Sequence, residues 1–179
     1  MEIIKTNIEG LVIIKPKVYE DERGYFMESF KESFIKKNFP NINFIQDNES
    51  KSSFGVLRGL HFQSPPFDQT KLVRVIKGKV LDVAVDLRKN SKTFGKWESV
   101  ILSGKNKKQL LIPKGFAHGF IVHSNKAIFS YKVDTPYKKE SEKGIIYNDK
   151  SLNIDWGIDE KEIIISQKDL NLKEFKSLK

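Results

Sequence analysis

Between residues 71 and 87 the chain runs as two alternating arms, Lys71-Leu72-Val73-Arg74-Val75-Ile76 and residues 80–87, around Lys77-Gly78-Lys79. A period of two on each side of a glycine turn fits a β-hairpin and no helix. In the second arm Leu81, Val83, Val85 and Leu87 share one face, while Asp82, Ala84 and Asp86 share the other. The expectation is one buried face and one polar face. The same grammar recurs at residues 10–15 (stopped by Pro16), 44–46, 56–63, 98–102, 109–112, 119–123 and 127–133. Turn signals separate these runs at the spacing of about eight to twelve residues typical of a sandwich or barrel. Residues 30–39 read as a helix with Phe30, Phe34 and Ile35 on one side and Pro40 after its end. Residues 169–178 read as a closing helix, with Leu170 or Leu172, Phe175 and Leu178 on one side. No repeat, low-complexity tract or Ser/Gly linker divides the chain, so one all-β domain over residues 1–179 is expected.

Composition removes whole classes of function. There is no cysteine, which excludes disulfides, thiolate zinc sites, iron–sulfur clusters and a cysteine nucleophile. The first residues lack the apolar core of a signal peptide, and no apolar run approaches the ~18 residues that span a bilayer. A cytoplasmic protein without membrane contact is expected. Lys and Arg exceed Asp and Glu by 32 to 23, a net +9, but no block of five basic residues occurs. A basic balance of this size fits nucleic acid, an acidic membrane surface, a phosphorylated ligand or solubility alone; without a basic block, nucleic acid is not expected as a partner.

Three histidines are present, His61, His118 and His123. Simple alternation groups His61 with Gly59 and Gln63, opposite Leu60 and Phe62, as in a polar pocket wall; an ordinary surface histidine fits the same pattern. Strict alternation puts Arg58 on the other face, which a bulge at Gly59 would relieve. His118 lies in a glycine-punctuated turn, where it can cap a carbonyl, and His123 receives no role. Neither His61 nor His118 has a second histidine nearby, whereas a first-row metal takes two or three imidazoles with a carboxylate; no metal is expected. Tyr131 shares a face with Phe129 and Val133, a pattern of core or rim residues as much as of a catalyst. Lys71, Arg58 and Arg23 are candidates to hold an anion. Taken alone, these residues describe a polar pocket in a β-barrel and no particular reaction.

A resemblance adds the reaction. The order of Asp21-Glu22-Arg23-Gly24-Tyr25-Phe26, Gln46-Asp47-Asn48-Glu49-Ser50, Gly55-Val56-Leu57-Arg58-Gly59-Leu60-His61-Phe62-Gln63 and Lys71-Leu72-Val73-Arg74-Val75 resembles the dTDP-4-dehydrorhamnose 3,5-epimerase family of the cupin superfamily. So do Asp82-Val83-Ala84-Val85-Asp86-Leu87-Arg88, Ser91-Lys92-Thr93-Phe94-Gly95, Ile112-Pro113-Lys114-Gly115-Phe116-Ala117-His118-Gly119-Phe120, Tyr131-Lys132, and Gly144-Ile145 leading to Asn148-Asp149. The likeness runs from about residue 8 to residue 170. It implies a cupin-type jelly roll, a homodimer whose N-terminal strands pair across the interface, and a role in dTDP-L-rhamnose synthesis for cell-surface polysaccharide. It also implies double epimerisation of a dTDP-4-keto-6-deoxyhexose with no cofactor: a ketone at C4 acidifies the hydrogens at C3 and C5, and reprotonation from the opposite face inverts each centre.

By the same resemblance His61 is the base, Tyr131 the acid, Lys71 the donor to the enolate oxygen and Asp169 the carboxylate that orients His61. Arg23, Glu28, Gln46, Asp47, Asn48, Arg58, His118, Glu142 and Lys168 match contacts to nucleotide, diphosphate or sugar, and Tyr137 matches the ring stacked on thymine. Pro65-Pro66-Phe67 and Lys138-Lys139 depart from the family's pattern at the nucleotide rim. The alternatives are an epimerase acting on C3 or C5 only or on another nucleotide sugar, a non-catalytic sugar-nucleotide binding module that would lack His61 and Tyr131 together, and a metal-dependent cupin with more histidines.

Overall fold

The computed structural model describes residues 1–178. The chain forms β1 (Glu2–Lys5), β2 (Val12–Lys15), β3 (Val18–Asp21), β4 (Gly24–Met27), the helix α1 (Glu32–Asn38), β5 (Gln46–Ser53) and β6 (Leu57–Gln63). It continues through β7 (Lys71–Lys77), β8 (Lys79–Asp86), β9 (Trp97–Ser103), β10 (Gln109–Ile112), β11 (Phe116–Val122), β12 (Lys126–Val133), β13 (Glu142–Gly144) and one helical turn, α2 (Gln167–Leu170). Six strands in the order β1-β2-β10-β7-β12-β5 make one sheet, and five in the order β13-β6-β11-β8-β9 make the other. The β3–β4 ribbon stands apart from both.

Three apolar clusters hold these layers. Val73, Val75, Val80, Ala84, Phe116, Phe120, Val122 and Phe129 interlock between the two sheets. Leu57, Leu60, Val83, Val85, Ala117 and Ile121 cover the outside of the five-stranded sheet together with Tyr147, Trp156 and Phe175 from the C-terminal stretch. Val12, Ile14, Leu72 and Leu111 cover the outside of the six-stranded sheet, where Ile35 of α1 seals them. A strand buried on both sides is apolar on both, so only the few polar residues facing inward stand out.

That architecture corrects the reading of residues 71–87. The two arms do not pair with each other: β7 lies between β10 and β12, and β8 between β9 and β11. Residues 77–79 are a corner that hands the chain from one sheet to the other. Gly78 sits at φ +88°, and a Cβ there would run into the Lys126 carbonyl. The corner is tied to other loops, with Gly104 N–H donating to Gly78 O at 3.0 Å and Lys79 N–H to Ser124 Oγ at 2.9 Å. Alternation records which faces are buried, not which strand lies alongside. The polar face of β8 is likewise inside: Asp82, Ala84 and Asp86 are fully buried between the sheets.

Two further expectations change. Strand β5 begins only at Gln46 and runs on through polar residues, because it forms the edge of its sheet; Phe44 instead packs with α1. The closing helix is broken into α2, a bridge from Lys173 to Ile145, and a 3-10 turn at Phe175–Leu178. Side chains elsewhere claim its backbone: Asp149 Oδ2 accepts from Phe175 N–H at 2.7 Å, which a continuous helix would not allow.

Candidate active site

A cleft of about 580 Å³ opens between the sheets, lined on one wall by Arg58, His61, His118 and Phe120 and on the other by Lys71, Phe129 and Tyr131. Residues 164–169 close its floor, where Ile164 N–H donates to Gly55 O and Leu57 N–H to Ile164 O, both at 2.9 Å.

Arg58 and His61 reach the same cleft because β6 carries an irregularity. Phe120 lies opposite Arg58 and His118 opposite His61, so three steps on β6 span two on β11. The extra residue turns Leu57 and Leu60 outward into the apolar layer and both polar side chains inward, as a bulge at Gly59 should. Glycine is required there: at φ +130° a Cβ would sit 2.5 Å from Gly119 Cα and 2.8 Å from the His118 carbonyl oxygen.

His61 Nε2 lies 2.7 Å from Asp169 Oδ1. Asp169 is held from behind: the Ser166 side chain caps α2 by accepting from Asp169 N–H at 3.1 Å, and Gly59 N–H donates to Asp169 Oδ2 at 3.4 Å. Burial pushes the Asp169 carboxyl up, but His61, the Gly59 amide and Lys168 outweigh it and keep it below the usual carboxylate range. An ionised carboxylate only accepts, so His61 carries its proton on Nε2 and leaves Nδ1 as a basic lone pair.

On the opposite wall Tyr131 is half-buried, and burial pushes its phenol up against the pull of the Arg58 charge. The Lys71 ammonium makes no hydrogen bond or ion pair among the described residues. Burial brings its ammonium down to about 8, opposed by the charges of Asp82 and Glu142. His118 Nε2 meets both oxygens of Asp82 at 3.0 Å, in a pair almost wholly buried.

At the rim, Glu142 Oε2 accepts from Tyr137 OH and from Lys168 Nζ, each at 2.7 Å. Lys168 therefore lines the cleft while Tyr137 lies over half exposed beside it. The remaining residues expected from sequence are not brought to this cleft. Arg23 sits at the tip of the β3–β4 ribbon, paired with Asp21, with its side chain 83% exposed. Glu28 pairs with Lys31, Gln46 donates to Asn48 at 2.8 Å, and Asp47 pairs with Lys132 over a second hollow that reaches Arg74 and Gln109. His123 Nε2 lies 2.8 Å from the Trp156 carbonyl, a tie between the residue just after β11 and the C-terminal stretch. Sequence reading missed Asp82, whose signal was an acid sharing the Ala84 face of an otherwise apolar strand.

A sequence profile of dTDP-4-dehydrorhamnose 3,5-epimerase matches residues 5–177. The chain belongs to that family. The dTDP-4-dehydrorhamnose 3,5-epimerase of Shigella flexneri is 52% identical over 98% of this chain and 96% of its own. The crystal structure of the enzyme of that name from Elizabethkingia anophelis is 51% identical and superposes with a TM-score of 0.95, covering 99% of this chain and 97% of that one. A Legionella pneumophila dTDP-6-deoxy-D-glucose-3,5-epimerase, solved in complex with dTDP-4-keto-L-rhamnose, is also 51% identical, with a TM-score of 0.94 over 98% of this chain and 93% of its own. The sandwich is thus the cupin-type jelly roll of these epimerases, as expected from the sequence.

Proposed function

We propose that this chain is a dTDP-4-dehydrorhamnose 3,5-epimerase, converting dTDP-4-dehydro-6-deoxy-D-glucose to dTDP-4-dehydro-L-rhamnose. The observation that carries the reading is the placement of His61 and Tyr131 on different sheets, facing one cleft. A sugar ring held between them presents one face to a base and the other to an acid. His61 Nδ1 takes the proton from C3 or C5, and the C–H electron pair moves into the ring as an enolate whose charge rests on the C4 oxygen. Asp169 stabilises the imidazolium. Lys71, charged below about pH 8, faces the new oxyanion. The Tyr131 phenol, protonated at neutral pH, gives its proton to the opposite face, and the centre is inverted. Arg58 and Lys168 suit the diphosphate, and Tyr137, fixed by Glu142, suits the thymine.

The active form is a homodimer in the cytoplasm. The β3–β4 ribbon exposes Tyr19, Tyr25 and Phe26, the last at 68%, and carries Arg23 away from its own cleft. A second copy receiving the ribbon would bury those rings and bring Arg23 to a substrate. Sedimentation velocity should therefore give twice the chain mass.

The reaction itself is tested by incubating dTDP-4-keto-6-deoxyglucose with the protein in heavy water. Deuterium at both C3 and C5, with both centres inverted, is the expected result. Label at one carbon only would reassign the chain as a single-centre epimerase, and none at either would remove the reading.

A further inference from the structure

The reaction set out above gives Asp82 no part, yet its position is an expensive one. It lies fully buried on the inward face of β8, where an unpaired carboxylate is strongly disfavoured. Both of its oxygens face His118 Nε2 at 3.0 Å. In the β8–β11 ladder Asp82 is opposite Phe120 and His118 is opposite Ala84, so the pair is a diagonal one across the inner face. Phe129 lies beside the imidazole, with ring centroids 6.1 Å apart and planes inclined by 25°. With Nε2–H committed to the carboxylate, His118 Nδ1 is left over in a residue that lines the cleft. Lys71 lines the same cleft from the facing sheet, and its ammonium has no hydrogen-bond partner among the described residues. Against the burial that discharges it, the charge of Asp82 is the stronger support and that of Glu142 the weaker.

We propose that Asp82 is a positioning residue that orients His118 against the cleft and sustains the charge of Lys71, the donor to the enolate oxygen. The inference rests on the reading above in which Lys71 faces that oxygen. An amide in place of Asp82 would still accept from His118. It would leave Lys71 without its main counter-charge, so a smaller fraction of the ammonium would enter the reaction charged. Evolution of charge at C4 needs the opposite, a cation in place before the proton leaves. The other charged or titratable groups that line the cleft around Lys71 are Arg58 and His61 from β6, Tyr131 from β12, Glu49 from β5, and Lys168 and Asp169 from α2; Glu142 of β13 acts from the rim.

The decisive variant is Asp82→Asn, which keeps the acceptor and removes the charge. Lysine labelled with ¹³C at Cε reports Lys71 directly, its signal assigned by disappearance in Lys71→Arg. From a parental midpoint of about 8, the Asn variant should titrate on the order of one unit lower. The alkaline limb of kcat/KM should move down with it, and turnover at pH 8 should fall on the order of tenfold, while dTDP affinity stays within about twofold. Asp82→Glu, which retains the charge, should restore the limb. If Asp82→Asn does not fold, Asp82→Ser leaves room for a water and carries the same expectation. A purely structural Asp82 would lower Tm and leave both the Lys71 midpoint and the limb where they were; that result overturns the proposal. Lys71→Met separates the two levels. Parental turnover in that variant defeats the enolate role of Lys71 itself, whereas low turnover with an unmoved limb in Asp82→Asn defeats only the role of Asp82.

Discussion

Asp82 and Asp86 lie on the same inward face of β8, both fully buried, and they are used in opposite ways. Asp86 is saturated. It accepts from Arg88 N–H and Nε at 3.0 and 2.9 Å, from Arg88 Nη2 at 2.8 Å, and from the Ser91 and Thr93 hydroxyls at 2.6 Å each. Arg88 in turn lies 4.7 Å over the Phe116 ring and donates to the Glu9 carbonyl at 2.9 Å. This network explains why the sequence carries Asp86, Arg88, Ser91 and Thr93 together: they clamp the β8–β9 connection at the end of the sandwich away from the chemistry. Asp82 has His118 alone among the described residues, and His61 has Asp169 alone. A buried carboxylate with every lone pair used stabilises the fold. One with capacity left projects its charge onto whatever enters the cleft.

The comparison breaks first at the catalytic end. His61→Ala should lower turnover on the order of 10²–10⁴-fold with little change in Tm, and should abolish solvent exchange at C3 and C5. Tyr131→Phe should block inversion with a similar loss, yet leave slow exchange with retained configuration, since His61 can return the proton it took. Parental inversion in Tyr131→Phe, followed by NMR of the product, would move the acid to another residue.

At the other end, Asp86→Ala strands Arg88, and breaking such a buried pair should cost about 3–5 kcal/mol in chemical denaturation. The fraction that remains folded should turn over at nearly the parental rate. A parental stability would mean that the clamp is redundant.

The acid limb sharpens the contrast further. Burial pushes the Asp86 carboxyl up, but its donors outweigh it and bring it down to about 2 from 3.8. A folded-state pKa below the unfolded one gives stability that is present above about pH 4 and is lost as pH falls through about 2. Thermal melts between those values should fall more steeply for the parent than for Asp86→Asn. Equal slopes would count against the clamp.

The smallest effect is expected at the rim. Tyr137→Ala should weaken dTDP binding by about 1–3 kcal/mol, the worth of one base–aromatic stack, with kcat changed much less. Calorimetry on dTDP alone would show it, and unchanged affinity would remove Tyr137 from the nucleotide site.

How much of this was legible in the chain varies by residue. Strand β10 falls at residues 109–112 as read, since four buried apolar or amide positions between turn signals leave no alternative. The Gly59 bulge was legible too, because only an extra residue lets Arg58 and His61 share a wall. The corner at Gly78 was not, since two strands buried on both sides look the same whether they pair with each other or with distant neighbours. Nor was strand β5 legible through Asp47-Asn48-Glu49, for an edge strand needs no apolar alternation. The break in the closing helix depends on Asp149 and on the bridge from Lys173 to Ile145, contacts that no local pattern records. Glu28 was proposed only through resemblance and Arg23 also as an anion-holding arginine, and within one chain the fold keeps both away from the cleft.

The His61–Asp169 pair joins positions 108 residues apart, and the segment that delivers Asp169 docks by a parallel bridge from Ile164 to Val56. Contacts of such long range form late, after the entropy of closing the intervening loops has been met. A chain emerging from the ribosome can therefore assemble both sheets, and even the walls that cradle a nucleotide, while its histidine still lacks the carboxylate that orients it. If Asp169 orients His61 as proposed, proton abstraction requires the C-terminal stretch to be laid across the five-stranded sheet first. In a refolding time course, recovery of turnover should trail recovery of β-structure, so that the appearance of activity dates the last step of folding.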